Sequence, residues 1–151
     1  MMPFGHTLGF RVERVALGEV LVVMPCHRRV YNIFGYTHAG AIFALAETAI
    51  GLAHIASLKE HQTATTVGCK INFLRPARDG ELRAHARTVK HGNILSFLER
   101  DVFDEQRVLI ARASGTMMTL NDQRSEGRNR LHSVHEQLLV YTEATQLDQC
   151  D

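Results

Sequence analysis

The residue best suited to chemistry in this 151-residue sequence is Glu47, an acidic side chain inside a long apolar stretch from about Ala39 to Ala56. In a helix its neighbours one turn away carry no positive charge; they are Phe43, Ala44, Ile50 and Gly51. A carboxylate in such surroundings is desolvated, which suits it to act as a general base or a nucleophile. The alternative is a glutamate that reaches solvent or pairs with a distant arginine. We favour the catalytic role because charged residues are rarely buried without a partner or a function.

Two further polar residues, Asn32 and His38, lie just before this stretch. His38 and Ala39 would stand at the helix N-terminus, where unpaired N–H groups and the helix dipole favour a developing negative charge. An oxyanion hole built from the Ala39 amide would use that field directly. His38 is also suited to a simple helix cap, and Asn32 to a turn, which is the commoner use of asparagine in a loop.

The spacing of these groups predicts that two chains share one site. His38 and Glu47 are nine residues apart, so their side chains lie on opposite faces of a helix. Their separation along the helix axis is roughly 13 Å. They cannot easily act together within one chain. If both act, the helix start of one chain must meet Glu47 of another across a two-fold axis.

The composition excludes several other classes of function. Apolar residues make up 45% of the sequence, charged residues 22%, and the formal net charge is +1. No basic stripe is present that would neutralise phosphates, so nucleic acid is not an expected partner. The scattered histidines and the three cysteines, Cys26, Cys69 and Cys150, form neither a disulfide framework nor a metal motif. We therefore expect no metal.

The apolar stretch also bears on location. It is interrupted by Glu47, Thr48 and His54, so it predicts a buried globular helix rather than a membrane span. The first six residues lack the basic and apolar regions of a signal peptide. Together with cysteines that we expect to be reduced, this predicts a cytoplasmic protein with no membrane partner.

The elements that position these residues are predicted from periodicity and turn signals. Two strands over Leu8–Pro25 precede the helix, which runs from His38 to about Leu58. After a polar loop over residues 59–63, antiparallel strands joined by short turns continue to Leu120. The predicted strands are Thr65–Phe73, Leu82–Thr88, Ile94–Phe103 and Val108–Leu120.

A lone helix that is apolar on nearly every face needs cover on all sides, and a sheet curled around it would supply that cover. We therefore predict an α+β domain over residues 1–120, with an antiparallel sheet wrapped around one long central helix. Residues 121–151 are more polar, with a weak amphipathic stretch from Leu131 to Tyr141. They predict a loosely attached extension, with a short helix as one option.

The segment Asn32–Glu47 sharpens this picture. Its sequence, Asn-Ile-Phe-Gly-Tyr-Thr-His-Ala-Gly-Ala-Ile-Phe-Ala-Leu-Ala-Glu, resembles the hot-dog thioesterases of the phenylacetate-degradation type, whose pattern is Asn, several residues, His-Gly-Gly, then Ala-Asp or Ala-Glu. Ala39 stands where the first glycine usually sits; it keeps the backbone N–H, but its methyl group crowds the pocket. The resemblance covers about residues 8 to 120 and implies an acyl-CoA thioesterase that is a dimer or a dimer of dimers. CoA is then part of the substrate, and no cofactor is expected.

The resemblance also implies roles for individual residues. Asn32 helps to position the thioester or the water, and His38 orients the loop. A serine or threonine that follows the acid supports it by a hydrogen bond. Thr65 is the expected residue because it shares strand parity with residues 67, 69, 71 and 73, which we expect to face the helix. Thr66 is the near rival.

Recognition of the substrate requires further groups near the pocket mouth. Cations and turn amides are suited to the CoA nucleotide, although solvated surface charges look the same in a sequence. The candidates for substrate binding are Gly40, Thr66, Arg75, Arg87, Lys90, His91, Gly92 and Asn93.

Three alternatives remain at this point. A dehydratase or hydratase of the same fold ranks lower, because the motifs of those families are missing here. A non-catalytic module that binds or senses acyl-CoA is the main rival from another class, since fold and function separate easily. Such regulators attach a DNA-binding segment, and no basic helix-turn-helix pattern is present. The extension after residue 120 is also compatible with docking on another protein.

Overall fold

The computed structural model describes residues 2–59 and 61–121. A 3-10 turn at Arg28–Val30 precedes the long helix. The helices and strands are α1 (Pro3–Leu8), β1 (Arg11–Ala16), β2 (Glu19–Pro25), α2 (Ala39–Ile55), β3 (Gln62–Phe73), β4 (Glu81–Lys90), β5 (Leu95–Phe103) and β6 (Leu109–Asn121). The predicted extension lies outside the described residues beyond Asn121, and so does its possible short helix.

The six strands form one antiparallel sheet in the order β1-β2-β4-β5-β6-β3. β3 follows α2 in the sequence but pairs with β6 at the far edge of the sheet, so the chain crosses the sheet through the helix. α2 packs against β2, β3, β4, β5 and β6. The predicted antiparallel sheet around one long helix, the hot-dog arrangement, is confirmed.

The helix α2 begins at Ala39, directly after its N-terminal capping residue, His38. His38 is extended, and its Nδ1 atom accepts a hydrogen bond from the Gly40 N–H at 2.9 Å. Alanine and leucine then continue the helix, since both have high helix propensity. No helix in the described ranges is long and apolar enough to cross a bilayer.

The core lies between α2 and the inner face of the sheet. Leu45, Ala46 and Ala49 are fully buried, and Ile50 is 1% exposed. Burial of a side chain as large as Leu45 contributes about 1.5 to 3 kcal/mol. Gly115 on β6 fits this layer because a side chain there would lie 2.9 Å from Ile50. The helix therefore sits close to the sheet, and its orientation is fixed.

Within the described residues α2 is not covered on all sides, contrary to the prediction. Phe43, Glu47 and Gly51, spaced by one turn, are only half-buried. The sheet covers one face of the helix and leaves this second face partly open, because six strands curl around the helix without closing. The open face carries Glu47.

Among the boundaries that differ from the prediction, two have a clear local cause. Leu8, the expected start of the first strand, is instead the last residue of α1: Pro3 suits the first turn of this helix, and Gly9, at φ 75°, ends it in the left-handed conformation. β3 begins at Gln62, inside the segment that we expected to be a polar loop. Pairing with β6 as far as Asn121 extends the strand beyond its apolar residues.

One titratable side chain lies in the core near the end of α2. His54 is fully buried, and its Nε2 atom lies 3.2 Å from Thr119 Oγ1. Burial lowers the pKa of His54, and the neighbouring His91, whose ring centre is 6.0 Å away, lowers it further. The folded chain therefore favours neutral His54.

The position of His54 predicts a loss of stability in acid. Below its ordinary pKa of 6.5 the unfolded chain binds a proton at His54 more readily than the folded chain does. We expect the free energy of unfolding to decrease as the pH falls from about 6.5, with a slope of at most about 1.4 kcal/mol per pH unit from this group. Urea unfolding of the wild type and His54→Gln between pH 7.5 and 5 measures it. The slope should become smaller in His54→Gln and stay unchanged in the exposed control His6→Gln; equal slopes in all three would contradict the assignment.

Candidate active site

Glu47 on the open face of α2 is held by a threonine from β3. Thr66 Oγ1 donates a hydrogen bond to Glu47 Oε1 at 2.7 Å. The same hydroxyl lies 3.4 Å from Met117 Sδ on β6. Glu47 is half-buried, so one edge of its carboxylate is supported by protein and the rest can reach a substrate or water.

The threonine that supports the acid is Thr66, and the expected orientation of Thr65 is wrong. A β-bulge between Thr66 and Gly68 adds one residue to β3. The bulge reverses the alternation, so Thr66 shares the helix-facing side with Cys69, and Thr65 faces the other way. Gly68 was the available signal, because a glycine inside a strand often marks a bulge.

The start of α2 presents backbone N–H groups at the surface, and His38, Ala39 and Gly40 are all exposed. The Gly40 amide is already used by His38 Nδ1. Ala39 is the first helical residue, and its N–H has no partner within the helix. A side chain at position 40 would lie 3.0 Å from His38 Nδ1, so glycine lets the imidazole fold over the helix end.

The hydrogen bond from Gly40 also sets the tautomer of a neutral His38 ring. Because Nδ1 accepts, the neutral ring carries its proton on Nε2. The exposed imidazole therefore offers an N–H donor next to the free Ala39 amide. His38 is both a helix cap, as one interpretation of the sequence held, and a second donor at the same helix end.

Asn32 organises the loop that leads to the helix. Its Oδ1 atom accepts hydrogen bonds from the N–H groups of Phe34, at 2.9 Å, and Tyr36, at 3.2 Å. This is the turn role that the sequence left open as the commoner use. The loop returns next to its start, because Tyr31 and Thr37 form an isolated bridge. With its oxygen turned into the loop, the amide NH₂ of Asn32 points away from these two donors and can still act on a substrate.

The candidates for binding CoA do not form one cluster in a single chain. Arg75 donates to the Leu109 carbonyl at 2.8 Å, at the first residue of β6. Lys90 lies opposite Phe97, which in turn lies opposite Thr116 on β6. Leu109 and Thr116 are roughly 20 Å apart along an extended strand. The cations therefore flank opposite ends of the sheet.

The turn at His91 and Gly92 packs with the end of α2. The Gly92 N–H and His91 Nδ1 both lie 3.3 Å from Ser96 Oγ. A side chain at position 92 would overlap the Leu95 carbonyl, at 2.2 Å, so this turn requires glycine. In the described parts of the chain, no three histidine, cysteine, aspartate or glutamate side chains could together hold a metal ion.

Sequence reasoning missed one functional candidate, Arg100 on β5. It is only 1% exposed, and its NH2 group donates to Cys69 Sγ at 2.9 Å. Burial lowers the pKa of Arg100, and the hydrogen bond to Cys69 and the charge of Glu47 oppose that change. The alternation Leu98, Arg100, Val102 was visible in the sequence and places the arginine among inward-facing residues.

Comparison with known proteins identifies the family. A family described as a domain of unknown function (DUF4442) matches residues 1–123. A Bacillus subtilis relative with an esterase name is 33% identical over 125 residues, which cover 79% of this chain and 98% of the relative. A thioesterase structure from Haemophilus influenzae has a TM-score of 0.77 at 27% identity, covering 81% of this chain and 85% of that one. The chain is a member of the hot-dog thioesterases.

A further relative carries a substrate in its name. The 1,4-dihydroxy-2-naphthoyl-CoA hydrolase of Escherichia coli is 27% identical over 108 residues, covering 70% of this chain and 79% of the relative. The resemblance inferred from Asn32–Glu47 is thus confirmed at the level of family and enzyme class. In this thioesterase the motif corresponds to a surface helix start, an ordered loop and a supported carboxylate.

The bond between Thr66 and Glu47 predicts a difference between adjacent threonines. Thr66→Val removes the donor, and we expect kcat/KM for thioester hydrolysis to fall about 10- to 100-fold, since hydrogen bonds to charged groups are worth about 1.5 to 3 kcal/mol. Thr65→Val makes the same change on the opposite face and should alter kcat/KM less than about twofold. Steady-state kinetics of both variants measure this, and equal losses would contradict the geometry.

Proposed function

We propose that this thioesterase hydrolyses acyl-CoA to a free acid and CoA, in sites formed by two chains. The observation that carries the proposal is the pairing of Thr66 with Glu47 on the partly open face of α2. The CoA thioester named for the Escherichia coli relative supports the choice of carrier. Cys26 and Cys69 are free thiols, in keeping with the cytoplasmic location that we propose.

In this mechanism Glu47 is the general base or the nucleophile. Thr66 orients one carboxylate oxygen, which leaves the second to take a proton from water or to attack the thioester carbonyl. Space beside the carboxylate supports this role. Gly51, one turn further along the same face, has no atom within 4 Å of the position a side chain would take. Gly68, beside the bulge, is equally open.

The start of α2 supplies the oxyanion hole. The Ala39 N–H points along the helix axis, and the dipole of a 17-residue helix reinforces it. The Nε2–H of His38 stands next to it and orients the approach of the thioester. Asn32 completes this end of the site through its amide NH₂, held by the loop that its oxygen organises.

The two halves of the site come from different chains. Ala39 and Glu47 are separated by two helical turns and face different directions, so one thioester carbonyl cannot reach both within one chain. Among the strands that the structure describes, β3 is an edge strand of 12 residues, and Lys70 is its only charged residue. An exposed edge of this kind favours pairing with a second copy. Pairing there brings the second chain next to Thr66 and Glu47.

The role of Glu47 predicts the outcome of a direct assay. Release of free thiol is measured with a panel of acyl-CoA substrates for the wild type, Glu47→Gln and the control Glu99→Gln, whose residue is exposed on β5. We expect Glu47→Gln to lose at least about 100-fold in kcat and Glu99→Gln to stay near wild type, because only Glu47 handles the proton or the acyl group. If the wild type binds acyl-CoA without releasing thiol, the proposal of a hydrolase is wrong, and the protein is a non-catalytic module that binds acyl-CoA.

The role of the Ala39 N–H can be tested by proline. Position 39 is the first residue of α2, where proline is well tolerated and removes only the N–H. We expect Ala39→Pro to reduce kcat by about 100-fold or more while thermal unfolding stays close to wild type. Ala39→Ser keeps the N–H and should retain most of the activity. Full activity in Ala39→Pro would exclude this amide as the oxyanion donor.

The same two substitutions test whether the site is shared between two chains. In a mixed dimer of Glu47→Gln and Ala39→Pro chains, one site carries both substitutions and the other site carries neither. A 1:1 mixture of refolded chains should therefore regain about a quarter of wild-type activity, as expected for random pairing across a two-fold axis. No recovery, with mixed dimers verified by mass spectrometry, would place both groups in the same chain.

A further inference from the structure

Arg100 is a buried cation in the layer that holds Glu47. Along β5 the side chains of Ser96, Leu98, Arg100 and Val102 are buried, and the residues between them are more exposed. Arg100 therefore projects from the sheet towards α2. A buried charge without partners is strongly destabilising, so a chain that keeps one needs a reason.

Only part of the hydrogen-bonding capacity of the Arg100 guanidinium is satisfied. One group, NH2, donates to Cys69 Sγ, and sulfur is a weak acceptor. The Nε and NH1 atoms are buried and have no hydrogen-bond partner in the described ranges. Burial lowers the pKa of Arg100, but a guanidinium remains protonated at neutral pH. Most of its charge is thus not neutralised by direct contacts.

β3 places this cation beside the catalytic carboxylate. Thr66, which holds Glu47, lies opposite Met117, and Cys69, which holds Arg100, lies opposite Gly115. Met117 and Gly115 are successive inward positions of β6, so the bulge makes Thr66 and Cys69 successive inward positions of β3. The carboxylate and the guanidinium are anchored side by side on one strand.

Few other titratable groups face this layer. In the described part of the chain β2, β4 and β6 turn only uncharged side chains towards α2, and their acidic and basic residues lie on the outer face. β3 contributes Cys69 and β5 contributes Arg100. α2 itself carries Glu47, His38 at its start and His54 near its end, where His91 lies beside it. Cys26 and Tyr31 pack against the same core, and the nearby α1 carries the exposed His6. Arg100 is therefore the permanent positive charge of the layer.

We propose that Arg100 is a positioning residue for the hydrolysis, whose buried charge keeps Glu47 in the ionised form that takes a proton or attacks the thioester. It acts through its field, because its hydrogen bond goes to Cys69 and not to the carboxylate. Because Arg100 itself is buried, water screens its field less than it would screen a charge at the surface. The inference rests on the role of Glu47 proposed above.

The pH dependence of kcat/KM tests this role. The variants are Arg100→Met and Arg100→Gln, which remove the charge, Arg100→Lys, which keeps it, and Arg112→Gln as a control. Arg112 lies on the outer face, where it pairs with Asp101 at 2.6 Å, so the control changes the net charge equally. We expect the acid limb to move about 1 unit to higher pH in both neutral variants, as an opposite charge typically produces. It should stay in place in Arg100→Lys and Arg112→Gln.

Thermal unfolding separates this effect from damage to the fold. Replacement of a buried ion by methionine is often tolerated, and Arg100→Gln provides a second neutral side chain if methionine does not fold. A lower kcat with an unmoved acid limb in a folded neutral variant would overturn the proposal. If Glu47→Gln is inactive while the limb does not move, only the role of Arg100 fails. If Glu47→Gln stays active, the proposed function fails and this role fails with it.

Discussion

The packing of α2 on one face of a six-stranded sheet constrains every polar group of the site. Small residues such as Ala46, Ala49 and Gly115 let the helix lie close to the strands, so it cannot rotate without overlap. With that rotation fixed, Glu47 must emerge on the face that the sheet leaves partly open. The N-terminus of the helix must likewise emerge at the surface, next to the loop of Asn32. Catalytic groups on a rigid helix keep their geometry better than groups on loops.

The edge strand β3 links the sheet to the chemistry. Its bulge between Thr66 and Gly68 directs one threonine at the acid and a cysteine at the buried arginine. A regular strand would place Thr65 against the helix instead. Bulges occur often near active sites because they redirect a side chain without changing the sheet. Within the described residues the same strand lies at the edge of the sheet, so the element that supports Glu47 is also the one through which we propose that a second chain pairs.

The sequence was sufficient to predict the fold, and it supplied a set of candidate site residues whose catalytic roles stay predictions. An apolar helix among alternating strands has few ways to be buried, and this led to the sheet wrapped around α2. Glu47 was singled out because an acidic residue inside an apolar helix is unusual, whereas Asn32 and His38 became candidates through the resemblance of the segment Asn32–Glu47. The choice between Thr65 and Thr66 failed because strand parity assumes a regular strand, and one inserted residue reverses it. The partly open face of α2 was also missed, since hydrophobicity shows that a helix needs cover but not which molecule supplies it.

Two features of the chain oppose its stability as a single molecule: the half-buried apolar face around Phe43 and the incompletely paired charge of Arg100. Both lie around Glu47. Local rules of packing and pairing are most often broken where a protein performs its function, and the rest of the structure must compensate. Here the compensation is available from the well-packed core between α2 and the sheet. In the proposed function an apolar surface serves to bind an acyl group and a second chain, and the incompletely paired charge of Arg100 serves to keep a neighbouring carboxylate ionised. The features that weaken the isolated chain are therefore the ones that the proposed reaction needs.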